Sequence, residues 1–452
     1  MRTTTAFLAL LLASCFGLPP AADPFPLKAA ALSATQAVGT EGIRTLTTNS
    51  ISIVLSGVMA SAQLQDGRWE VQPNGPNGVQ LLSHTTTEGN VGSVINSPAR
   101  GARDVQTQSA VGRFVRVGDV LIVASTQGAT AQCDEMTAVH VVPWTPNPLH
   151  LAGPALGDPG NALVWWLRVG APPLESSAIK ADRLPSVVNP DSLGINYSAW
   201  GRGRPTFEWL ESKFAFIGDV GDMWGTTGSP VAQVEPYGRQ FACRVSVALT
   251  MLCSTAPAEQ KQRLAVRLVQ AGVDLLGAFL DGREQEVDGG WYQGRKACVL
   301  FALHMLDVPR FLWPLVLRGQ FQEDLAYGDV GPWQWGNPQW RYGWRGRHRN
   351  RHFWHLPPAQ WNEEFRERWY ANSYLYANTG PQVGTALAMR LLGLTQHMSP
   401  AMDGWIAQWM QGPSPAVVQE LAAQGVSLPW GEDWSTDRAA GFCAAAWRKY
   451  AN

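Results

Sequence analysis

Residues 41–172 alternate apolar and polar side chains at a period of two, broken every few residues by turn chemistry. Thr45 to Ala60 is rich in Thr, Ile, Val and Ser, and Asp66-Gly67 separates two alternating runs as a hairpin turn does. Pro73-Asn74-Gly75-Pro76-Asn77-Gly78 is dense turn sequence. Phe114–Val117 and Val120–Val123 flank Gly118-Asp119 as a second hairpin-like pair, and Ala138–Val142 and Ala162–Val169 read as further strands. Short strands at this spacing predict a sandwich-like all-β domain. Residues 173–205, rich in Pro, Ser and Gly, read as a connector lying over the surface.

From residue 206 the period becomes helical. Leu264, Leu268, Ala271, Leu275 and Phe279 line one face of a helix over Glu259–Leu280, started by Thr255 and Pro257 and stopped by Gly282. Further helices are predicted over Arg239–Cys253, Gly294–Leu306, Val383–Leu392, Met402–Met410, Ala416–Ala423 and Asp437–Tyr450. The fold class is therefore β + α multidomain: a sandwich-like domain at 41–172, then a helical domain at 206–452, a bundle or an incomplete α/α toroid with a cleft at one end.

The amino terminus changes the picture of where the chain works. Met1-Arg2, an apolar run from Ala6 to Leu12 and small residues after it read as a secretory signal over 1–22, followed by a linker at 23–40. Leu12-Ala13-Ser14-Cys15 also fits a lipobox, which would leave Cys15 as a lipid anchor. The expected location is outside the cytoplasm: periplasmic, at the outer membrane as a lipoprotein, or secreted. A membrane enters only through that anchor. Cys243 and Cys253 lie ten residues apart on one predicted helix, about 15 Å, and cannot bridge each other. Each would be able to meet Cys298; the other reading is buried thiols acting as small apolar groups. Neither CxxC nor Cys/His zinc spacing occurs, so no metal and no cofactor is expected.

Charge narrows the partners. With 35 basic and 36 acidic side chains the chain lacks the basic excess of a general nucleic-acid binder. Its 16% charged and 45% hydrophobic residues exclude disorder as the main state. Arg supplies 29 of the 35 cations, and there are 21 Trp. Flat rings and planar forks suit sugar faces and carboxylates or sulfates. The expected partner is an acidic polysaccharide or oligosaccharide, and no nucleic acid.

Four stretches concentrate candidate chemistry. Gly289 to Lys296 is a Gly-rich loop entering a helix, and it brings backbone N–H groups, Arg295 and Lys296 to one spot, as an anion site does; the bland reading is a tight turn with solvated cations. Residues 341–355 interleave arginines with His348, His352, His355 and aromatics, within a field of Trp333, Trp335, Trp340, Trp344, Trp354, Trp361 and Trp369. Stacking and forked ion pairs make it a glycan platform, the alternative being core rings with a solvated loop. Four arginines among the histidines, Arg345 included, would repel a divalent cation, so a lone proton-transferring His352 fits better than a metal site. Asn372 to Asn378 offers Tyr374 and Tyr376 on one face, or a capped helix start with packing tyrosines. Glu323, Asp324 and Asp329, and equally Asp219 and Asp222, are acid/base carboxylates in search of a partner.

Asp66-Gly67-Arg68-Trp69 with the Gln72–Gly78 turn resembles the opening of an uncharacterised exported bacterial family. So do Tyr237-Gly238-Arg239, Asp288-Gly289-Gly290 followed by Gly294-Arg295-Lys296, Glu323-Asp324, Trp335-Gly336, and Asn378 ahead of Val383–Leu387. The family carries a Gly-His-Gly-type stretch before Gly-Arg-Lys, where this chain has Trp291-Tyr292-Gln293. The β-then-α plan resembles polysaccharide lyases and hydrolases built on an α/α toroid, a likeness of architecture alone.

These readings point to a lyase cleaving uronate-containing or sulfated glycan by β-elimination. Arg239, Arg295, Lys296 and Asn378 would neutralise the carboxylate, and Tyr376, Tyr374 and His352 would move protons. Tyr292, Trp291, Trp335, Trp340, Trp344 and Arg345 would bind substrate. The alternatives are a glycoside hydrolase using Glu323 and Asp324, and a non-catalytic surface glycan-binding protein.

Overall fold

A computed structural model describes residues 42–48, 50–87, 89–96, 105, 108–126, 135–155, 159–170, 173–195, 204–214, 238–280, 293–317, 321, 323–324, 379–398, 400–412, 415, 419, 422–423 and 439–451. Within them, β-sheets come first and helices follow. The strands are β1 (Arg44–Thr48), β2 (Ile51–Ser56), β3 (Val58–Gln63), β4 (Trp69–Pro73), β5 (Val79–Thr86), β6 (Asn90–Ile95), β7 (Phe114–Val115), β8 (Val120–Thr126) and β9 (Glu135–Val141). They form two sheets, ordered β1-β2-β5-β7 and β3-β4-β9-β8-β6. Alternation sets the faces: Ile51, Ile53 and Leu55 of β2 turn inward and join Val71, Leu121, Val123 and Val139 of the other sheet in one apolar cluster. Asp66-Gly67 closes the β3–β4 hairpin as expected, with Gly67 at φ 92°.

The second sheet is buried on its other face as well. Glu70 pairs in register with His140, and both lie beside a smaller cluster holding Val120, Ile122, Met136, Ala138 and Ala155. Neither ring nitrogen of His140 has a hydrogen-bond partner among the described residues, while other polar groups of this layer are held individually. The His150 Nδ1 lies 2.7 Å from Glu70 Oε2, and Trp144 Nε1 donates to Glu70 Oε1 at 3.3 Å. Arg168 Nε donates to the Pro154 carbonyl at 2.9 Å. Arg68, wholly buried, donates to Asp66 Oδ2 at 2.6 Å and crosses to Asp274 Oδ1 at 2.8 Å.

The helices are α1 (Ala162–Val169), α2 (Phe207–Lys213), α3 (Gly238–Leu252), α4 (Ala258–Leu280), α5 (Arg295–Met305), α6 (Trp313–Val316), α7 (Val383–Leu391), α8 (Thr395–Met398), α9 (Pro400–Gln411) and α10 (Ala439–Tyr450). The whole expected face of α4 is buried: Leu264, Leu268, Ala271, Leu275 and Phe279. Helix α4 lies against α5 so closely that a Cβ on Gly272 would stand 2.3 Å from the Cys298 carbonyl oxygen. Helix α3 joins α7 through Ser246 Oγ, 2.9 Å from Thr385 Oγ1.

Three local expectations need correction. Ala162–Val169 is a helix, not a strand. Its apolar run, continuous from Ala162 to Leu167, has no period to read, and the deciding signals flank it: the Asn161 side chain accepts from Val164 N–H, and Gly170 follows the last turn. Residues 114–123 are not a hairpin. β7 pairs with β5, while β8 pairs with β6 and β9, so Gly118-Asp119 carries the chain from one sheet to the other. The 173–205 connector does not lie over the surface along its length. Ile179, Leu184 and Val188 are in the helical core, and Val187 and Val188 both donate to the Cys253 carbonyl at 3.0 Å. The expected Ala416–Ala423 helix falls largely outside the described residues.

Candidate functional site

The described candidate residues meet where α5 begins. Gly294 supplies the bend, at φ 85°, a conformation that other residues adopt at a cost. It sits against α3 so tightly that a Cβ would lie 2.7 Å from the Ala242 Cα. The starts of α3 and α5 are therefore neighbours. Arg239 stands in the first turn of α3, and the Arg295 guanidinium lies 5.5 Å from the Phe241 ring centroid.

The anion expected at this helix start is supplied by the protein. Gly294 N–H donates to Glu323 Oε1 at 2.5 Å. Lys296 Nζ donates to Asp324 Oδ1 and to the Met398 carbonyl. Arg295, Lys296 and Glu323 are all buried, and Asp324 nearly so. Lys296 is thus engaged by an internal carboxylate rather than presented to a ligand, and any substrate anion would have to displace Asp324 from it.

Burial governs the electrostatics. Glu323 is pushed up to about 7 by loss of solvent, against the pull of the Gly294 N–H and the Lys296 charge. Asp324 is also raised by burial, and Lys296 opposes that shift. The Cys298 thiol is driven upward by burial and by Glu323. His397, beside Met398, is lowered by partial burial and by Arg310 and Lys296, and meets Trp313 edge-on at 4.7 Å. A carboxyl near 7 takes and gives a proton at neutral pH, which is the chemistry this cluster offers.

In the sequence Arg295 and Lys296 form one candidate group, and Glu323 and Asp324 stand apart as carboxylates. The structure brings all four together. It also shows Gln293, a member of the Gly289–Lys296 loop, buried beside Gly294, and adds His397, which belongs to none of the motifs. Trp291, Tyr292, Trp335, Trp340, Trp344, Arg345, His352, Tyr374, Tyr376 and Asn378 lie outside the described residues, as do Asp219, Asp222, Asp329 and Cys15. Among the described residues no three His, Cys, Asp or Glu side chains group so as to hold a metal ion, and no helix is long and apolar enough to cross a membrane.

Comparison with protein-family models, with curated proteins and with solved structures finds no match to this chain.

Proposed function

We propose that the protein is an exported carbohydrate-active enzyme that cleaves an acidic, uronate-containing or sulfated glycan by β-elimination, with Glu323 carrying the proton. The observation behind this reading is the Glu323 carboxyl. It is buried, fixed through Oε1 by Gly294 N–H, and raised to about 7, while Oε2 has no hydrogen-bond partner among the described residues. In β-elimination the uronate carboxylate is neutralised, the neighbouring C–H proton is removed, and the leaving oxygen is protonated. Glu323 suits the last step. Arg239, Arg295 and Asn378 neutralise charge, with Lys296 steadying Asp324, and Tyr376, Tyr374 or His352 removes the proton. The Trp- and Arg-rich segment, through Trp335, Trp340, Trp344 and Arg345 with Trp291 and Tyr292, holds the sugar rings. The same reading takes the two sheets as a sandwich, the helices as an incomplete α/α toroid, and the cleft at the helix starts.

A second reading, glycoside hydrolysis, is favoured by one observation: Glu323 is followed directly by a second, largely buried carboxyl group, Asp324, ion-paired with Lys296. A screen of the purified protein against acidic and neutral polysaccharides separates the readings. Absorbance of unsaturated uronates marks elimination; reducing ends without it mark hydrolysis; binding without product marks a glycan-binding protein. Glu323→Gln should lower turnover by roughly 10²–10⁴-fold while leaving the protein folded. Full turnover in that variant would remove Glu323 from the chemistry.

A further inference from the structure

Native edge strands are kept from pairing with other chains by shortness, bulges, charged side chains or a covering segment. Among the described residues, three of the four sheet edges have such a guard. β7 has two residues. β3 has an irregular register between Val58 and Ala60, and its Val58 N–H donates to the Gly42 carbonyl at 3.0 Å. In β6, Ser93 N–H donates to the Gln108 carbonyl at 2.9 Å. The fourth edge, β1, runs five residues against β2 with no break in register, and its one charged side chain, Arg44, stands at its first position.

The hairpin decides which groups this edge presents. On the β5 side of β2, the Ser50 carbonyl accepts from Thr87 N–H at 3.2 Å, so the backbone groups of Ile51, Ile53 and Leu55 turn the other way, to β1. They meet Thr48, Leu46 and Arg44 in register. The N–H and C=O groups of Thr45 and Thr47 therefore point away from the sheet, and no described backbone group bonds them there. Both threonine side chains are exposed. Ile43 and Met59, next in sequence to the bonded Gly42 and Val58, are 57% and 49% exposed, an apolar pair at the end of the open edge.

The strand is its own complement. Turned about a two-fold axis through Leu46, a second β1 sets Thr45 opposite Thr47 on both sides of the axis, and these are the hydrogen-bonded pairs of the new ladder. Leu46 then faces Leu46 of the second copy, and Arg44 faces Thr48, so no like charges meet.

We propose that the protein pairs with a second copy of itself through β1, joining the β1-β2-β5-β7 sheets of the two copies into one continuous antiparallel sheet. The surface is independent of the glycan reading above. Each new hydrogen bond replaces one to water, so the net gain is small and the dimer is reversible, with a dissociation constant in the micromolar range.

Sedimentation of the purified full-length protein over a concentration series tests the pairing. Wild type should pass from monomer to dimer as concentration rises. Thr45→Lys with Thr47→Lys sets lysines opposite lysines on an already exposed face and should weaken the dimer about tenfold or more. Thr45→Glu with Thr47→Lys sets opposite charges across the same axis and should restore it. A wild type that stays monomeric up to roughly 100 µM overturns the proposal, as does a dimer indifferent to the lysine pair. Failure of the Glu and Lys combination to recover the dimer overturns the antiparallel register, and an open-ended species in place of a dimer overturns the two-fold closure. Should a variant not fold, hydrogen exchange on wild type decides. Amides of residues 44–48 should exchange more slowly as concentration rises, and exchange that ignores concentration overturns the pairing.

Discussion

Arg68 and Asp274, 206 residues apart in the chain, meet at 2.8 Å in the interior and join the β3–β4 turn to helix α4. The arginine has no contact with water and answers two carboxylates, Asp66 behind it and Asp274 across the boundary. Asp274 also accepts from Ala155 N–H at 3.0 Å, so one carboxylate fixes the hairpin turn and the segment ahead of α1 together. The Asp-Gly-Arg-Trp stretch therefore has a structural duty in this chain: it fastens sheet to helix.

Removing the cation alone should be severe. Arg68→Met leaves two buried carboxylates without compensation, and a broken buried pair costs about 3–5 kcal/mol. Urea denaturation would show the loss. Adding Asp66→Asn and Asp274→Asn to Arg68→Met should restore part of it, because the uncompensated charge goes. A single variant within about 1 kcal/mol of wild type would mean that the fastening lies elsewhere.

Glu323 predicts a pH dependence with a definite sign. Its carboxyl is raised from its ordinary 4.5 to about 7 in the folded protein. Below 4.5 the folded and unfolded forms both hold the proton; between 4.5 and about 7 only the folded form does. Its contribution to stability is thus full in acid and is lost as pH rises through about 7. Glu323→Gln keeps the acceptor for Gly294 N–H and cannot ionise. The variant should gain on wild type between pH 5 and pH 8 by about 1–3 kcal/mol, read as a difference in urea midpoints so that other titrating groups cancel. Parallel curves for the two proteins would mean that the carboxyl ionises at an ordinary pH.

What could be read from the sequence was what the chain encodes locally. The buried stripe on α4 and the alternation on β2 repeat within one element, and both appear where the pattern put them. Partners are another matter. Phe114–Val115 was legible as strand, yet nothing near it names β5 as its neighbour. Ala162–Leu167 is apolar all along, so its helix rests on the Asn161 cap rather than on a period. At α5, the loop's appetite for an anion was legible from Gly, Arg and Lys. That Glu323, 29 residues on, satisfies it was not, because loop closure over that distance leaves no mark in the sequence.

Gly294 should tolerate no side chain. At φ 85° an alanine is strained, and its Cβ would fall 2.7 Å from the Ala242 Cα, a backbone atom that cannot swing aside. Strain of about 1–3 kcal/mol and a similar overpacking term make Gly294→Ala one of the costlier single changes in the helical region. It would also move the N–H that holds Glu323, so any activity should fall with stability. By contrast Gly393→Ala, at φ 68° with nothing within 4 Å of the new Cβ, should show the strain without the clash and lose less. Equal losses in the two variants would argue that close approach to α3 contributes nothing.

The cysteines give the last prediction. Cys243, Cys253, Cys298 and Cys443 are buried thiols. The sequence allowed Cys298 to bridge either of the first two; the structure leaves all four as thiols. Reaction with alkylating reagents needs thiolate and access, and burial denies both. Cys253 is pushed up to about 12 even with the Lys261 ammonium nearby, because loss of solvent outweighs that charge. Cys298 is driven upward further by burial, reinforced by Glu323. Iodoacetamide labelling followed by peptide mass mapping, which reports each position separately, should find these four unmodified in native buffer and modified once urea unfolds the chain. Their labelling rate should follow global unfolding, so Arg68→Met, which lowers stability, should speed it at all four sites in step. Rapid native labelling of Cys298, or a recovered peptide linking Cys298 to Cys243 or Cys253, would contradict the arrangement of α3, α4 and α5 around them.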